Sequence, residues 1–79
     1  MTKTQKELTG AMDRLNSNLE KSGYKMEINH RNNYTALDKI NLKTGAMIDY
    51  FDAGLTDKQA LNLIYSLCKV LEMVYNPIN

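Results

Sequence analysis

Residues 57–75, DKQALNLIYSLCKVLEMVY, constrain the fold more than any other stretch. At 100° per residue, Leu61, Ile64, Cys68, Leu71 and Tyr75 form one apolar row. Leu63, Leu67, Val70 and Val74 form a second row beside it, with Ala60 between the two. Together they cover roughly half the circumference of a helix. Lys58, Asn62, Ser66, Lys69 and Glu72 fill a narrower polar arc, into which Tyr65 and Met73 intrude. The boundaries are signalled as well. Thr56 and Gln59 have capping-box spacing, Leu55 and Ala60 sit at hydrophobic-staple positions, Asp57 suits the positive end of the dipole, and Pro77 follows the last turn.

The chain has 79 residues, enough for one domain spanning 1–79. A chain this short buries only ~60–65% of the surface that its unfolded form exposes. Its single cysteine, Cys68, cannot close an intramolecular disulfide, and one Cys with one His does not make a metal site. No cofactor is implied. The broad face of 57–75 therefore has two readings. It is the central helix of a compact two-layer domain, or it doubles as a two-fold seam between two copies. In the second case Leu63, Leu67, Val70 and Val74 are the self-association residues and the protein is a homodimer.

The rest of the chain supplies a helix and three strands. Leu8, Met12, Leu15 and Leu19 recur as one narrow apolar stripe and predict a helix over 5–21, with Thr4 and Glu7 as its capping box. Gly23 sits where a left-handed C-terminal cap belongs. In YKMEINH, residues 24–30, Tyr24, Met26, Ile28 and His30 alternate with Lys25, Glu27 and Asn29, a strand with one buried face. RNN, residues 31–33, reads as a turn because asparagine tolerates positive φ. In YTALDKINL, residues 34–42, Tyr34, Ala36, Ile40 and Leu42 share a parity that Asp38 interrupts. KTG, with Gly45 at a positive-φ position, leads into a third strand, AMIDYF, whose buried face is ambiguous. The fold class is α+β: helix, three-stranded antiparallel sheet, helix, in two layers.

Charge excludes a polybasic surface. Residues 1–43 carry eight Lys/Arg against five Asp/Glu, and residues 44–79 carry two against four, so the halves sit at +3 and −2. The start, MTKTQKELTG, lacks the apolar run of a secretory signal, and no stretch is long and apolar enough to span a membrane. The expected setting is a reducing cytoplasm.

NHRNNY, residues 29–34, holds the only histidine. His30 as an acid–base group needs a partner, and Glu27 and Asp38 are the nearest carboxylates on the assumed hairpin. No nucleophile elbow or second histidine accompanies it. Cys68 on an apolar helix face reads as a buried structural thiol. Asp49, Asp52 and Asp57 lack calcium-loop spacing, and the glycines do not cluster into a phosphate cradle. The expectation is a chain with no catalytic residues. Tyrosine supplies contact area at low entropic cost. The Tyr50–Phe51 pair cannot turn both rings into one core. His30, Arg31, Asn32, Tyr34, Tyr50 and Phe51 are accordingly the expected partner contacts.

The segment YTALDKINLKTGAMIDYFDAGLTDKQALNLI, residues 34–64, has a Tyr-x-Ala-Leu-Asp strand, a Thr-Gly hairpin and a Gly-Leu-Thr lead-in to the final helix. In these it resembles small uncharacterised proteins of phages and prophages of Gram-positive bacteria. The resemblance implies an accessory protein that binds a host or viral protein, and it carries no catalytic residues. The element order is also that of double-stranded-RNA-binding domains, which suggests nucleic-acid binding through Lys25, Arg31, Lys39 and Lys43 as the alternative. Against it, TDKQALN offers one lysine, Lys58, where those domains carry a cluster, and the Gly-Pro before their loop histidine is missing. A structural role in a virion would predict larger oligomers.

Overall fold

The computed structural model describes residues 3–75, with side chains through Val74. Helix α1 spans Lys3–Leu19 and tightens into a 3₁₀ turn at Glu20–Ser22. Strands β1 (Tyr24–Arg31), β2 (Tyr34–Asn41) and β3 (Met47–Leu55) form an antiparallel meander in the order β1-β2-β3, and α2 runs Asp57–Tyr75. The α+β class and the helix–sheet–helix order are as the sequence predicts. Gly23 and Gly45 take the left-handed conformation, at φ 85° and 73°.

Both helices lie on one face of the sheet. Leu8, Ala11, Met12 and Leu15 of α1, Met26 of β1, Leu37 of β2, and Ala60, Leu61, Ile64 and Cys68 of α2 make one buried cluster. α1 lies over β1, while α2 lies over β2 and touches β3 lightly. The helices run side by side in the same direction. The Arg14 guanidinium of α1 grips the Glu72 carboxylate of α2 through two bonds of 2.7 and 2.6 Å, and Asn18 Nδ2 donates to the same carboxylate at 2.8 Å. These contacts hold the Glu72 carboxyl down to about 2. Glu72, expected in the solvated arc, is thus a link between the helices.

Several expectations need correction. α1 starts earlier than predicted, so Thr4 lies inside it and is no cap. The first hairpin turn is only Asn32–Asn33, since β1 continues through Arg31. Among the described residues none other than glycine has positive φ, so the asparagines close it without left-handed backbone. In β2 the core parity is the opposite of the expected one. Leu37 joins the core beneath the helices, whereas Ala36, Asp38 and Ile40 are buried on the other face. A central strand is shielded on both faces by its neighbours, so hydrophobicity there does not announce a side. Leu42 falls beyond the strand and is exposed. The start of α2 is as expected: Thr56 N–H donates to Gln59 Oε1 at 2.9 Å, and Gln59 N–H returns a bond to Thr56 Oγ1 at 3.1 Å. Pro77 lies outside the described residues.

Candidate functional site

The predicted contact residues separate onto two faces, because neighbours along a strand point to opposite sides. Arg31, Tyr34 and Tyr50 belong to the face without helices, and His30 belongs to the helix face. Asn32 sits exposed in the turn between them.

On the open face Asp38 is the pivot. It stands opposite Glu27 of β1 and Tyr50 of β3 and is only 1% exposed. Asn29 Nδ2 donates to Asp38 Oδ2, and one Arg31 terminal nitrogen lies 3.3 and 3.4 Å from the two carboxylate oxygens. The guanidinium then stacks 5.0 Å over the Tyr50 ring. Arg31 thereby reaches from β1 across β2 to β3 and covers the carboxylate that a bare sheet face would leave wet. Its Nε is buried without a partner. The face is nearly neutral, since Lys25 also pairs with Glu27 at 3.4 Å.

On the helix face His30 does not meet Glu27 or Asp38. Both of those point the other way, and Asp57 takes their place. His30 Nε2 lies 3.1 Å from Asp57 Oδ1, and Thr35 Oγ1 donates to the same oxygen at 2.6 Å. A relay for nucleophilic attack needs the imidazole between hydroxyl and carboxylate. Here the carboxylate stands between the other two, and Thr35 is buried. The grouping orients the ring and ties the first turn of α2 to the sheet. Beside it opens a cleft of about 480 Å³ lined by Gln5, Leu8, Thr9, Ile28 and His30.

The third feature is the apolar exposure of β3 and of the second row of α2. None of the nine residues of β3 is buried. Its register is stretched: Thr35, Leu37 and Lys39 of β2 face Leu55, Asp52 and Asp49, so β3 advances three residues for every two of β2. Two backbone N–H groups along this irregular stretch are bonded by side chains of the same strand: those of Tyr50 and Ala53 are taken by the Oδ1 atoms of Asp49 and Asp52, at 2.7 and 2.8 Å. Met47, Ile48, Tyr50 and Phe51 are each about half exposed, so neither ring of the Tyr50–Phe51 pair enters the core. The second row of α2 is divided. Leu63 and Leu67 pack against the core, while Val70 and Val74 emerge at 57% and 64% exposure. Cys68 is fully buried, and burial pushes its thiol up.

Among the described residues no three His, Cys, Asp or Glu side chains group as metal ligands, and no helix is long and apolar enough to cross a membrane. No protein-family model matches the chain, and no curated protein or solved structure matches it. Sequence reasoning missed Asp57 as the histidine's partner, Asp38 as the pivot of the open face and Glu72 as the interhelical acceptor. Each is a polar residue whose partner lies far along the chain, and periodicity holds no signal for such pairs.

Proposed function

We propose that this chain is a small non-enzymatic interaction module, a phage- or prophage-type accessory protein that acts by binding a host or viral protein. One observation carries the reading. A strand of nine residues that buries none of them, with exposed Val70, Met73 and Val74 on α2, is more apolar surface than a solvated edge requires. The bulges and the Asp49 and Asp52 caps oppose simple strand addition at that edge. The side chains, not the backbone, are then the means of contact, with Tyr50 and Phe51 as anchors. A second copy docking on Val70 and Val74 belongs to the same proposal. A cytoplasmic setting suits it, since Cys68 there stays a thiol.

The nucleic-acid alternative has less to draw on. Of its four cations, Lys25 is paired with Glu27, Arg31 with Asp38, and Lys39 lies 4.3 Å over the Tyr24 ring. Affinity chromatography of host lysate on the wild-type chain and on Tyr50→Ser/Phe51→Ser tests the main reading. A partner retained by the first and lost by an equally folded second supports it. Substrate turnover abolished by His30→Ala overturns it, and a strongly salt-dependent shift of duplex RNA favours the alternative.

A further inference from the structure

The cleft beside His30 has a chemistry that the interaction surface does not use. Its lining mixes apolar Leu8 and Ile28 with polar Gln5, Thr9 and His30. Its volume lies in the range of small-molecule sites, well above what one water fills. The ring of His30 is held in a defined way. A carboxylate oxygen accepts, so the 3.1 Å contact of Nε2 with Asp57 Oδ1 favours the tautomer with its ring proton on Nε2. The neutral imidazole then carries its lone pair on Nδ1. Nδ1 makes no hydrogen bond to any described residue. Thr35, which could compete as donor, is committed to the same Asp57 oxygen.

We propose that this cleft binds a small molecule with an apolar body and a single O–H or N–H donor. The body lies on Leu8 and Ile28, and the donor is accepted by Nδ1 of His30. Asp57 is a positioning residue: it sets the tautomer and touches no ligand. Binding involves no bond breaking, and the site is separate from the exposed surface of β3 and α2.

The test uses the full chain and two matched probes, 4-ethylphenol and 4-ethylanisole, which differ in the presence of the O–H donor. Long-range ¹⁵N–¹H spectra at a pH where the ring is neutral report the tautomer, and amide spectra locate the probes. The Nε2–H form is expected, with 4-ethylphenol shifting the amides of Leu8, Thr9, Ile28 and His30. A fragment of this size binds with a Kd of about 1 mM, and loss of one hydrogen bond weakens the anisole about fivefold. His30→Phe, at an exposed position, keeps the fold and brings the two probes to equal affinity. A predominant Nδ1–H tautomer, equal affinity of both probes for the wild type, shifts only around Val70 and Val74, or no shift at 10 mM each overturn the proposal.

Discussion

The side-chain amide of Asn16 pairs with the backbone of Met26 as a neighbouring strand would. Asn16 Nδ2 donates to the Met26 carbonyl at 3.0 Å, and the Met26 N–H donates to Asn16 Oδ1 at 2.8 Å. β1 is an edge strand, and an unpaired edge invites another chain. α1 closes that edge with one residue. The opposite edge, β3, is irregular and has its own aspartate caps. The two edges are thus managed by different means, and the β3 side keeps Met47, Ile48, Tyr50 and Phe51 half in solvent.

Replacing Asn16 separates its two roles. Asn16→Ala removes both bonds and leaves a half-buried N–H and C=O unpaired, a loss of about 1–3 kcal/mol. Asn16→Asp keeps the acceptor for the Met26 N–H but sets a carboxylate against the Met26 carbonyl, so it is no better than alanine. Urea melts measure both, and hydrogen exchange at the Met26 amide shows the protection lost in the alanine variant.

The interhelical clamp predicts a pH dependence. Arg14 and Asn18 hydrogen-bond the Glu72 carboxylate and lower its pKa from 4.5 to about 2. A depressed carboxyl contributes stability that is present above the unfolded value and lost as pH falls through the folded one. The contribution is therefore complete above about pH 4.5 and fades between that and about pH 2. Both side chains are partly exposed, so salt screens the pair. Glu72→Gln is expected to flatten the acid limb of the stability curve in this window. Denaturation midpoints of the two chains at pH 6, 4 and 2.5 check it: the difference shrinks towards acid, and a constant difference refutes the clamp.

Asp38 predicts the opposite kind of sensitivity, one that is steric and local. Asp38→Ala leaves the guanidinium of Arg31 over Tyr50 without its acceptor, and Arg31 Nε is already unpaired. The expected loss is about 2–3 kcal/mol, below the full cost of breaking a buried pair because Arg31 is a third exposed. Asp38→Asn turns an N–H₂ toward two donors and recovers less than half of that loss. Thermal melts rank the variants, and Tyr50 ring shifts show whether the stack survives.

Most of the architecture is legible in the sequence because it rests on local rules. The Thr56–Gln59 box, the left-handed glycines and the two helical stripes each depend on residues within a few positions of one another. Legibility fails at β2, where a central strand is buried on both faces and parity points to Ala36 and Ile40 instead of Leu37. It fails again at His30: alternation already sets Glu27 on the opposite face, but no local signal shows that the start of α2 carries Asp57 to the ring. Residue type marks Tyr50 and Phe51, whose rings are exposed, but is silent on the two faces that part Arg31 from His30.

The second row of α2 supplies the last prediction, since the structure divides what the sequence groups. Leu63 and Leu67 are packed against the core, whereas Val70 and Val74 are mostly in solvent. If all four served only a seam between copies, polar substitution would affect association alike at each. The packing instead requires Leu67→Ala to cost the monomer about 1–3 kcal/mol, the lower part of the buried-leucine range because the residue is half covered. Val70→Ser/Val74→Ser, at exposed helix positions, changes monomer stability by about 0.5 kcal/mol or less per site. Light-scattering mass at micromolar concentration adds the second axis. A dimer that dissociates in the valine double variant with an unchanged melting curve assigns Val70 and Val74 to association. A monomeric wild type whose melting curve is unmoved by those substitutions leaves them free for a different protein, and a wild type destabilised by them as much as by Leu67→Ala contradicts the exposed placement of that row.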